Sequence, residues 1–319
     1  MKKTEYAEEK LQKMKKYVPE AEKSAGGNSN RITRDYLDSL LIEYRHIEAK
    51  IPSIEMELFG RYFATPIMLG GMAAMVPKLH EGGMAELAMG CKLVNGVFWS
   101  GYISDLEFEE VTKTGVSAIR IIKPLRDEDA VLAAIKHDEA SGAFAVAMDI
   151  DHGFNAYGEY FPEVEHAYGA LGPKTEEDLK RYVQASSLPF FAKGVLSVAD
   201  ALACARAGAA GIVLSHHKGE YDYAVPPLLV LPRIREAVGS SVKIFVDCGI
   251  SSGMDAFKAL ALGADGVCAA RAFLRPFALD GADGVARKLA QMSLELKGVM
   301  AKTCIQDLKH MDSSVIYSD

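Results

Sequence analysis

Short apolar runs alternate with longer stretches of helical periodicity along most of this chain. From position 66 onward the apolar runs have the length of buried strands, and the apolar residues between them recur every three or four positions. The predicted strands are Pro66–Gly70, Lys92–Phe98, Ala118–Lys123, Phe144–Asp149, Pro189–Ala192, Gly211–Ser215, Lys243–Asp247 and Gly266–Ala269. The predicted helices are His80–Met89, Asp105–Thr114, Asp127–Ser141, Glu176–Ala185, Val198–Ala207, Pro226–Val238, Met254–Leu262 and Gly284–Ala301. Eight such units are typical of a (β/α)8 TIM barrel, a fold of the α/β class, rather than of a doubly wound sheet.

Residues 1–60 lack this alternation and are interpreted as an N-terminal helical extension, with residues 61–319 as the barrel. Lysine and glutamate alternate around apolar positions in residues 1–23, which predicts an amphipathic helix. Gly26 and Gly27 then break the chain, and a second helix is predicted at about Thr33–Tyr44. We expect the extension to pack on the barrel and to cover its lower end, where the strands begin. A helix that binds a partner is the alternative for this segment.

One connection is much longer than the others. Residues 152–174, after the fourth predicted strand, are rich in glycine and aromatic residues and have no helical period. Loops longer than about 12–15 residues without secondary structure are usually functional lids or mobile insertions. We expect a substrate lid over the carboxyl ends of the strands, and a mobile insertion is the alternative.

Composition narrows the possible partners. The chain is 49% hydrophobic and 25% charged, with a net charge of -7, which argues against nucleic acid as the main partner. No apolar run is long enough for a transmembrane helix, and the first residues lack the apolar core of a secretory signal. The five cysteines are odd in number and lack zinc-ligand spacing, so we expect reduced thiols, no metal site and a cytoplasmic protein.

Polar residues follow the apolar runs between Phe190 and Arg271. In a parallel barrel the carboxyl ends of the strands, called the rim below, face the site where ligands bind. Lys193 ends a buried run, where a lysine is costly unless it pairs with an anion. It could form a Schiff base with a carbonyl substrate, or stabilise negative charge on an electron-rich ring. The sequence position alone does not choose between these two chemistries.

The same segment contains candidates for a base and for a phosphate site. His217 ends the sixth predicted strand, and Asp149 at the end of the fourth could orient it; of His216 and His217, we expect only one to point inward. The loops around the last two strands contain Gly249 and Arg271. Backbone N–H groups and a guanidinium fork are typical phosphate ligands in late loops of such barrels.

These motifs together resemble one enzyme family. AKGVLSVADALACARAGAAGIVLSHHKG, VDCGISSGMDAFKALALGADGVCAARAF and LKGVMAKTCIQDLKH are similar to the FMN-dependent α-hydroxy-acid oxidase/dehydrogenase family. The resemblance is strong from about Pro189 to His310. It is weaker from about Leu58, where TPIMLGGMA resembles the first flavin-contacting strand. It implies an FMN-dependent oxidoreductase that acts on a small-molecule CH–OH or related donor and that is a homotetramer.

The resemblance also implies a role for each matching residue. Lys193 would stabilise the reduced flavin near N1, His217 would take a proton from the substrate, and Asp149 would support His217. The implied FMN contacts are Gly70, Gly71, Met72, Asn95, Ser100, Lys193, Ser215, Asp247, Gly249, Ala270 and Arg271.

The substrate half of the family pattern is not conserved in this sequence. The family places an arginine for the substrate carboxylate after its catalytic histidine, and here His217 is followed by Lys218, Gly219 and Glu220. A glutamate at this position would repel a carboxylate. The family's tyrosine on the third strand is replaced by Ile122, and the arginine expected after the fourth strand is missing. The substitute substrate contacts that we consider are Lys218, Lys123, Tyr157 and Tyr221.

Three functions therefore remain open from the sequence. The leading hypothesis is an FMN-dependent oxidoreductase, reoxidised by oxygen or by a redox partner. The first alternative is an FMN-dependent isomerase similar to type 2 isopentenyl-diphosphate isomerases. The second is an FMN-binding barrel without turnover, which the missing arginines favour and the retained Lys193, His217 and Asp149 oppose.

Overall fold

Eight parallel strands close into a barrel, which confirms the predicted (β/α)8 fold. The computed structural model describes residues 28–72, 76, 81–155, 157–160 and 169–317, so the helix predicted in residues 1–23 lies outside the described part. The barrel strands are β1 (Ile67–Met72), β2 (Val97–Ser100), β3 (Ser117–Ile122), β4 (Ala145–Asp149), β5 (Phe190–Val195), β6 (Gly211–Leu214), β7 (Lys243–Val246) and β8 (Gly266–Ala269). They follow one another around the barrel in chain order, and β8 pairs with β1.

The helices alternate with these strands and surround them. They are α1 (Gly83–Lys92), α2 (Asp105–Lys113), α3 (Glu128–Ala140), α4 (Glu176–Gln184), α5 (Val198–Arg206), α6 (Pro227–Val238), α7 (Gly253–Ala261) and α8 (Leu274–Lys302). Several begin at side-chain caps that the sequence encodes. Ser104, Thr175 and Ser252 each accept a hydrogen bond from the residue three positions on, within reciprocal capping boxes. Among the described residues, no helix combines the length and apolar character that crossing a lipid bilayer requires.

The barrel interior is filled by aromatic side chains below the rim. The Phe191 ring centroid lies 5.2 Å from that of Trp99 and 5.3 Å from that of Phe245. A hairpin with strands Met56–Leu58 and Arg61–Phe63 packs Phe63 against the barrel beneath this layer, since Phe63 contacts Phe144 just before β4. Within the described part of the chain, this hairpin therefore covers the amino end of the barrel, and the rim lies at the opposite end.

A helix from the N-terminal extension, Ser29–Ser39, packs at the rim, and we call it the rim helix. Thr33 Oγ1 is 2.8 Å from His216 Nε2, and Arg34 Nη1 donates to the Gly249 carbonyl at 3.2 Å. We expected the extension to cover the lower end, but this helix of the extension lies at the rim, and the hairpin at the lower end belongs to it only through Met56–Leu58. The predicted Thr33–Tyr44 helix also starts and ends too late, because the chain leaves the helix at Leu40.

The second strand begins later in the chain than predicted. Helix α1 continues to Lys92, and a turn with Asn95 at φ 50° precedes β2. Asn95 therefore lies at the amino end of β2, where its side chain donates to the Tyr62 carbonyl at 3.1 Å. The expectation that Asn95 contacts flavin is wrong, because the aromatic layer of the barrel separates it from the rim.

The described parts of the 152–174 connection are held at both ends. Near the far end, the Arg126 N–H donates to the Ala170 carbonyl and the Gly172 N–H to the Pro124 carbonyl, each within 3.0 Å. At the near end, Asn155 Oδ1 accepts from the N–H groups of Tyr157 and Glu159 and closes a turn. The described parts contain no helix, as the sequence indicated. A lid function for this connection stays a prediction.

Candidate active site

The register of β4 and β5 places Asp149 opposite Lys193 at the rim. Asp149 Oδ1 accepts from Lys193 Nζ at 2.8 Å, and its Oδ2 accepts from Lys123 Nζ at 2.8 Å. Burial alone would raise the pKa of Asp149, but the two ammonium groups outweigh burial and hold that pKa well below its usual range. Burial alone would lower the pKa of Lys193, but Asp149 and Asp247 outweigh it and raise that pKa. Lys193 is therefore a fixed buried cation.

The nearest carboxylate to His217 is Asp151, a residue that the sequence analysis did not single out. His217 Nδ1 lies 3.2 Å from both Asp151 oxygens, 3.6 Å from Asp149 Oδ1 and 3.4 Å from Lys193 Nζ. The expectation that Asp149 supports His217 directly is thus only partly right, because both Asp149 oxygens are already held by lysines. With Nδ1 donating to Asp151, the lone pair of Nε2 is available to a substrate.

The pKa of His217 is lowered. Burial is the largest cause and the Lys193 charge is the second, and both outweigh the opposite effect of Asp149 and Asp151. A histidine with a lowered pKa is neutral at neutral pH, which is the protonation state that a general base requires.

Two more titratable residues extend the cluster toward solvent. The His152 ring is edge-on to the His217 ring, with centroids 3.9 Å apart, and its Nδ1 lies 3.3 Å from Asp151 Oδ1. His152 Nε2 lies 3.4 Å from Glu220 Oε2, whose side chain is 33% exposed. Sequence analysis did not single out Asp151 and His152 because they follow the end of β4, where strand alternation no longer predicts direction.

The turn after β6 has an unusual backbone. His217 and Lys218 have φ values of 47° and 64°, in a region that costs most residues about 1–2 kcal/mol. The rim helix stabilises this turn, since Asn30 Nδ2 donates to the Lys218 carbonyl. Burial and then the Lys123 charge lower the pKa of Lys218, and Glu220 opposes them. Among the described residues, Lys218 Nζ has no carboxylate within ion-pair distance.

The predicted phosphate residues lie beside the rim helix. Arg271 Nη2 donates to Asn30 Oδ1 at 3.1 Å and forms no ion pair within the described part of the chain. Arg34 Nε is buried and has no hydrogen-bond partner among the described residues. Gly249 has φ 85°, and a Cβ there would lie 2.9 Å from Leu37 Cδ1, so this glycine leaves room for the rim helix. Ala270 directly precedes Arg271 at the end of β8.

Ser215 and Asp247 lie between the His217 cluster and the predicted phosphate residues. Ser215 Oγ accepts from the His217 N–H at 3.1 Å, and Asp247 Oδ2 is 3.9 Å from Lys193 Nζ. Cys248 Sγ donates to Asp247 Oδ1 at 2.9 Å, and burial raises the pKa of this thiol to about 12. His216 is buried against the rim helix rather than facing the His217 cluster.

The end of β1 provides the opposite edge of the site. Gly70 and Gly71 lie at a register shift between β1 and β2 and have no side chain, and Met72 follows them at the end of β1. Ser100 pairs with Arg120 across β2 and β3, and paired residues of parallel strands share a face. Because Arg120 points outward to Asp138, the Ser100 side chain also faces outward, and only its backbone can line the site.

The two predicted tyrosines differ in position. Tyr221 donates to the Asp151 carbonyl at 3.2 Å and is 39% exposed, so it borders the cluster. Tyr157 is 87% exposed and does not line the buried cluster.

Four ligand-type residues, Asp149, Asp151, His152 and His217, have donor atoms within 4.8 Å of one another. This spacing alone would suit a divalent cation. However, Lys123 and Lys193 already donate to Asp149, and two ammonium groups at the same carboxylate oppose a further cation. We therefore interpret the cluster as proton-transfer and anion-stabilising groups.

Comparisons with known proteins define the family. The model of the family described as FMN-dependent dehydrogenase matches residues 7–167 and 162–318. The chain is 31% identical to an L-lactate oxidase of Lactobacillus jensenii over 298 residues, covering 82% of this chain and 71% of the relative. It is 28% identical to a 4-hydroxymandelate oxidase of Amycolatopsis orientalis over 278 residues, covering 77% of each chain. A solved mandelate oxidase structure superposes with a TM-score of 0.86 at 25% identity, covering 99% of this chain and 97% of that one.

The chain belongs to the FMN-dependent dehydrogenase family, and its cofactor is FMN. Another mandelate oxidase structure, with a TM-score of 0.83 and 28% identity over 92% of this chain and 94% of that one, contains an FMN adduct. The described residues fit this cofactor. In the part of the chain that the structure describes, Arg271 forms no ion pair and Arg34 Nε, beside Gly249, is a buried donor without a hydrogen-bond partner, while Lys193 is a buried cation at the rim.

Proposed function

We propose that this protein oxidises a small CH–OH donor, with His217 as the base and Lys193 as the cation that stabilises reduced FMN. The observation that carries the proposal is the orientation of His217. Its Nδ1 is held by Asp151 at 3.2 Å, so the Nε2 lone pair is left for a substrate hydroxyl. FMN supplies the two-electron acceptor. The resemblance to relatives named as oxidases of lactate, hydroxymandelate and glycolate supports the CH–OH class.

For the cofactor we propose contacts that follow the positions described above. Lys193, Ser215 and Asp247 would contact the ring and the ribityl chain from the inner side. Gly70, Gly71, Met72 and the Ser100 backbone would contact the flavin along the β1–β2 edge. Gly249, Ala270 and Arg271 would hold the phosphate, with Arg34 as an additional donor from the rim helix.

For the substrate, we propose that Lys218 is the cation that contacts the substrate carboxylate. We propose that Tyr221 contacts the substrate at the edge of the site. Lys123 is less suitable, since its ammonium already donates to Asp149 at 2.8 Å. A lysine offers a point charge without the paired N–H groups of arginine, and Glu220 reduces its attraction for an anion. We therefore expect hydroxy acids to bind weakly, and less charged hydroxy compounds to compete with them.

The test is anaerobic bleaching of the flavin band near ~450 nm, the usual absorbance of oxidised flavin. The donors are L-lactate, glycolate and (S)-mandelate, each paired with its primary amide. We expect at least one donor to bleach the wild-type protein and His217→Gln to slow bleaching by about 10²–10⁴-fold. His310→Gln changes an exposed histidine and is the matched control. Unchanged bleaching in His217→Gln would disprove the proposed base.

The same acids and amides test the proposed contact of Lys218 with the substrate carboxylate. Lys218→Gln should raise KM for the acids by about tenfold, the order expected for one charge-assisted contact, and leave KM for the amides unchanged. Equal effects on acids and amides would contradict a carboxylate contact.

We also propose a cytoplasmic location and a homotetramer. All five cysteines are free, which suits a reducing compartment, and the tetramer follows from the family resemblance. Sedimentation of the FMN-bound protein measures the oligomeric state directly.

A further inference from the structure

We propose that Asp151, His152 and Glu220 form a relay that moves the substrate proton from His217 to solvent. This inference rests on the proposed role of His217 as the base. It accounts for Glu220, which replaces the arginine expected after the catalytic histidine and is unsuited to holding a carboxylate.

The groups of the relay alternate between imidazole and carboxylate. From the interior outward, His217 Nδ1 lies 3.2 Å from Asp151, Asp151 Oδ1 lies 3.3 Å from His152 Nδ1, and His152 Nε2 lies 3.4 Å from Glu220 Oε2. The side chains of His217, Asp151 and His152 are 10–12% exposed, whereas that of Glu220 is 33% exposed. The series therefore leads from a buried base to a half-exposed acceptor, and hydrogen bonds at catalytic sites commonly shorten when substrate binds.

The surrounding structure holds Asp151 in this series. Gly194 has φ 101°, and its lack of a Cβ leaves room for the Asp151 side chain. Tyr221 donates to the Asp151 carbonyl at 3.2 Å and fixes the backbone at the same residue. Other charged groups that face His217 are Asp149 from β4 and Lys193 from β5, and these two are already paired with each other. The Asp149 branch ends at Lys123, an ammonium group that offers no acceptor, whereas the branch through Asp151 leads to an exposed carboxylate.

Protons are conserved at each transfer. The O–H bond of the donor breaks and its proton binds His217 Nε2, and bound FMN would supply the acceptor for the hydrogen and the electron pair of the C–H bond. The Nδ1 proton of His217 passes to Asp151 and then to His152 Nδ1. The Nε2 proton of His152 passes to Glu220, which releases it to water. Ring rotation or exchange with water returns each imidazole to its starting tautomer.

The experiment separates proton release from flavin reduction. The FMN-bound protein is mixed anaerobically with whichever of L-lactate, glycolate or (S)-mandelate bleaches it, in weak buffer with a pH indicator dye. In the wild-type protein we expect proton release to follow bleaching at the same rate. In His152→Gln and Glu220→Gln at saturating donor, we expect proton release to be at least about tenfold slower than the bleaching of the same variant. His310→Gln and Glu236→Gln are controls at other positions and should behave as the wild-type protein.

Added imidazole, a small mobile proton carrier, should restore fast proton release in His152→Gln. Proton release that still follows bleaching in both variants would overturn the relay. A loss of bleaching in His152→Gln alone would also overturn it, because His152 would then contact the substrate.

If no donor bleaches the wild-type flavin, the proposed function is refuted. The relay can still be tested in that case by a measurement that needs no turnover. The ring ¹⁵N signals of His152 and His217 are followed by NMR against pH in the FMN-bound protein. Coupled titrations, lost in Asp151→Asn, support the relay. Independent titrations in the wild-type protein overturn it.

Discussion

A Cβ atom added to Gly194 would lie 2.4 Å from Cγ of Asp151, so this glycine is what allows the Asp151 carboxylate to reach His217. The clash cannot be relieved at Gly194 itself, because its φ of 101° is already unfavourable for a residue with a side chain. A glycine on β5 therefore determines the environment of His217 on the turn after β6.

Gly194→Ala should both destabilise the protein and disturb the base. Left-handed backbone costs about 1–2 kcal/mol and overpacking about another 1–3 kcal/mol. Gly142→Ala is the matched control, because Gly142 has φ 79° but nothing within 4 Å of an added Cβ. Urea unfolding measures both free energies. If Gly194→Ala and Gly142→Ala lose the same free energy of unfolding, Asp151 moves aside without cost and the expected clash is absent.

Asp151→Asn should change the pH dependence of catalysis. The negative charge of Asp151 raises the pKa of His217, against the larger effects of burial and Lys193. Without that charge the pKa of His217 falls further, so the acid limb of kcat/KM should move to lower pH. The plateau rate should fall by about 10–10²-fold because Nδ1 loses its charged acceptor. The pH profile of anaerobic flavin reduction measures both effects, and an acid limb that stays in place would contradict this role.

Arg271→Gln should weaken FMN binding. A hydrogen bond between charged groups is worth about 1.5–3 kcal/mol, which corresponds to roughly a tenfold to hundredfold increase in Kd. Arg287→Gln removes an exposed guanidinium paired with Asp280 and should leave Kd unchanged. Titration of apoprotein by flavin fluorescence gives both values. If Arg271→Gln and Arg287→Gln bind FMN equally well, the phosphate is held elsewhere.

The buried pair of Arg120 and Asp138 should make the free energy of unfolding depend on pH. Arg120 Nε lies 2.8 Å from Asp138 Oδ1, and both side chains are almost fully buried. Burial, partly offset by Arg120, raises the pKa of Asp138 to about 6. The folded state thus keeps a proton that the unfolded state loses, and this group makes the free energy of unfolding fall as pH rises from about 4 to about 6. Asp138→Asn should remove that slope in urea unfolding measured across this range.

Truncating one partner of the same pair tests its energy. Arg120→Met leaves a buried charge and should cost about 3–5 kcal/mol, whereas Arg287→Met at an exposed pair should cost at most about 1 kcal/mol. Similar losses in the two variants would show that the Asp138 carboxylate is rehydrated.

Sequence pattern was enough to predict the barrel because strand and helix lengths repeat in order along the chain. It failed at the start of β2, where the apolar Leu93 and Val94 resemble strand residues but lie in a turn, with Asn95 at φ 50° and the Gly96 N–H donating to the Cys91 carbonyl. It also failed just beyond β4. Asp149 follows the alternation of its strand, but Asp151 and His152 lie past the last strand residue, and their directions depend on the space left by Gly194.

Local sequence pattern also could not predict which end of the barrel the rim helix packs against. Its partners are remote in sequence, and its amphipathic face is compatible with either end of a barrel. Contacts with residues remote in sequence, such as those of Thr33 with His216 and of Arg34 with Gly249, decide which end it occupies.

The rim helix also sets an order of events during synthesis. Asn30 leaves the ribosome before its hydrogen-bond partners Lys218 and Arg271, which follow 188 and 241 positions later. A nascent chain therefore carries this helix without its docking surface until β8 has emerged. The proposed phosphate contact of Arg271 can therefore form only after β8 has emerged.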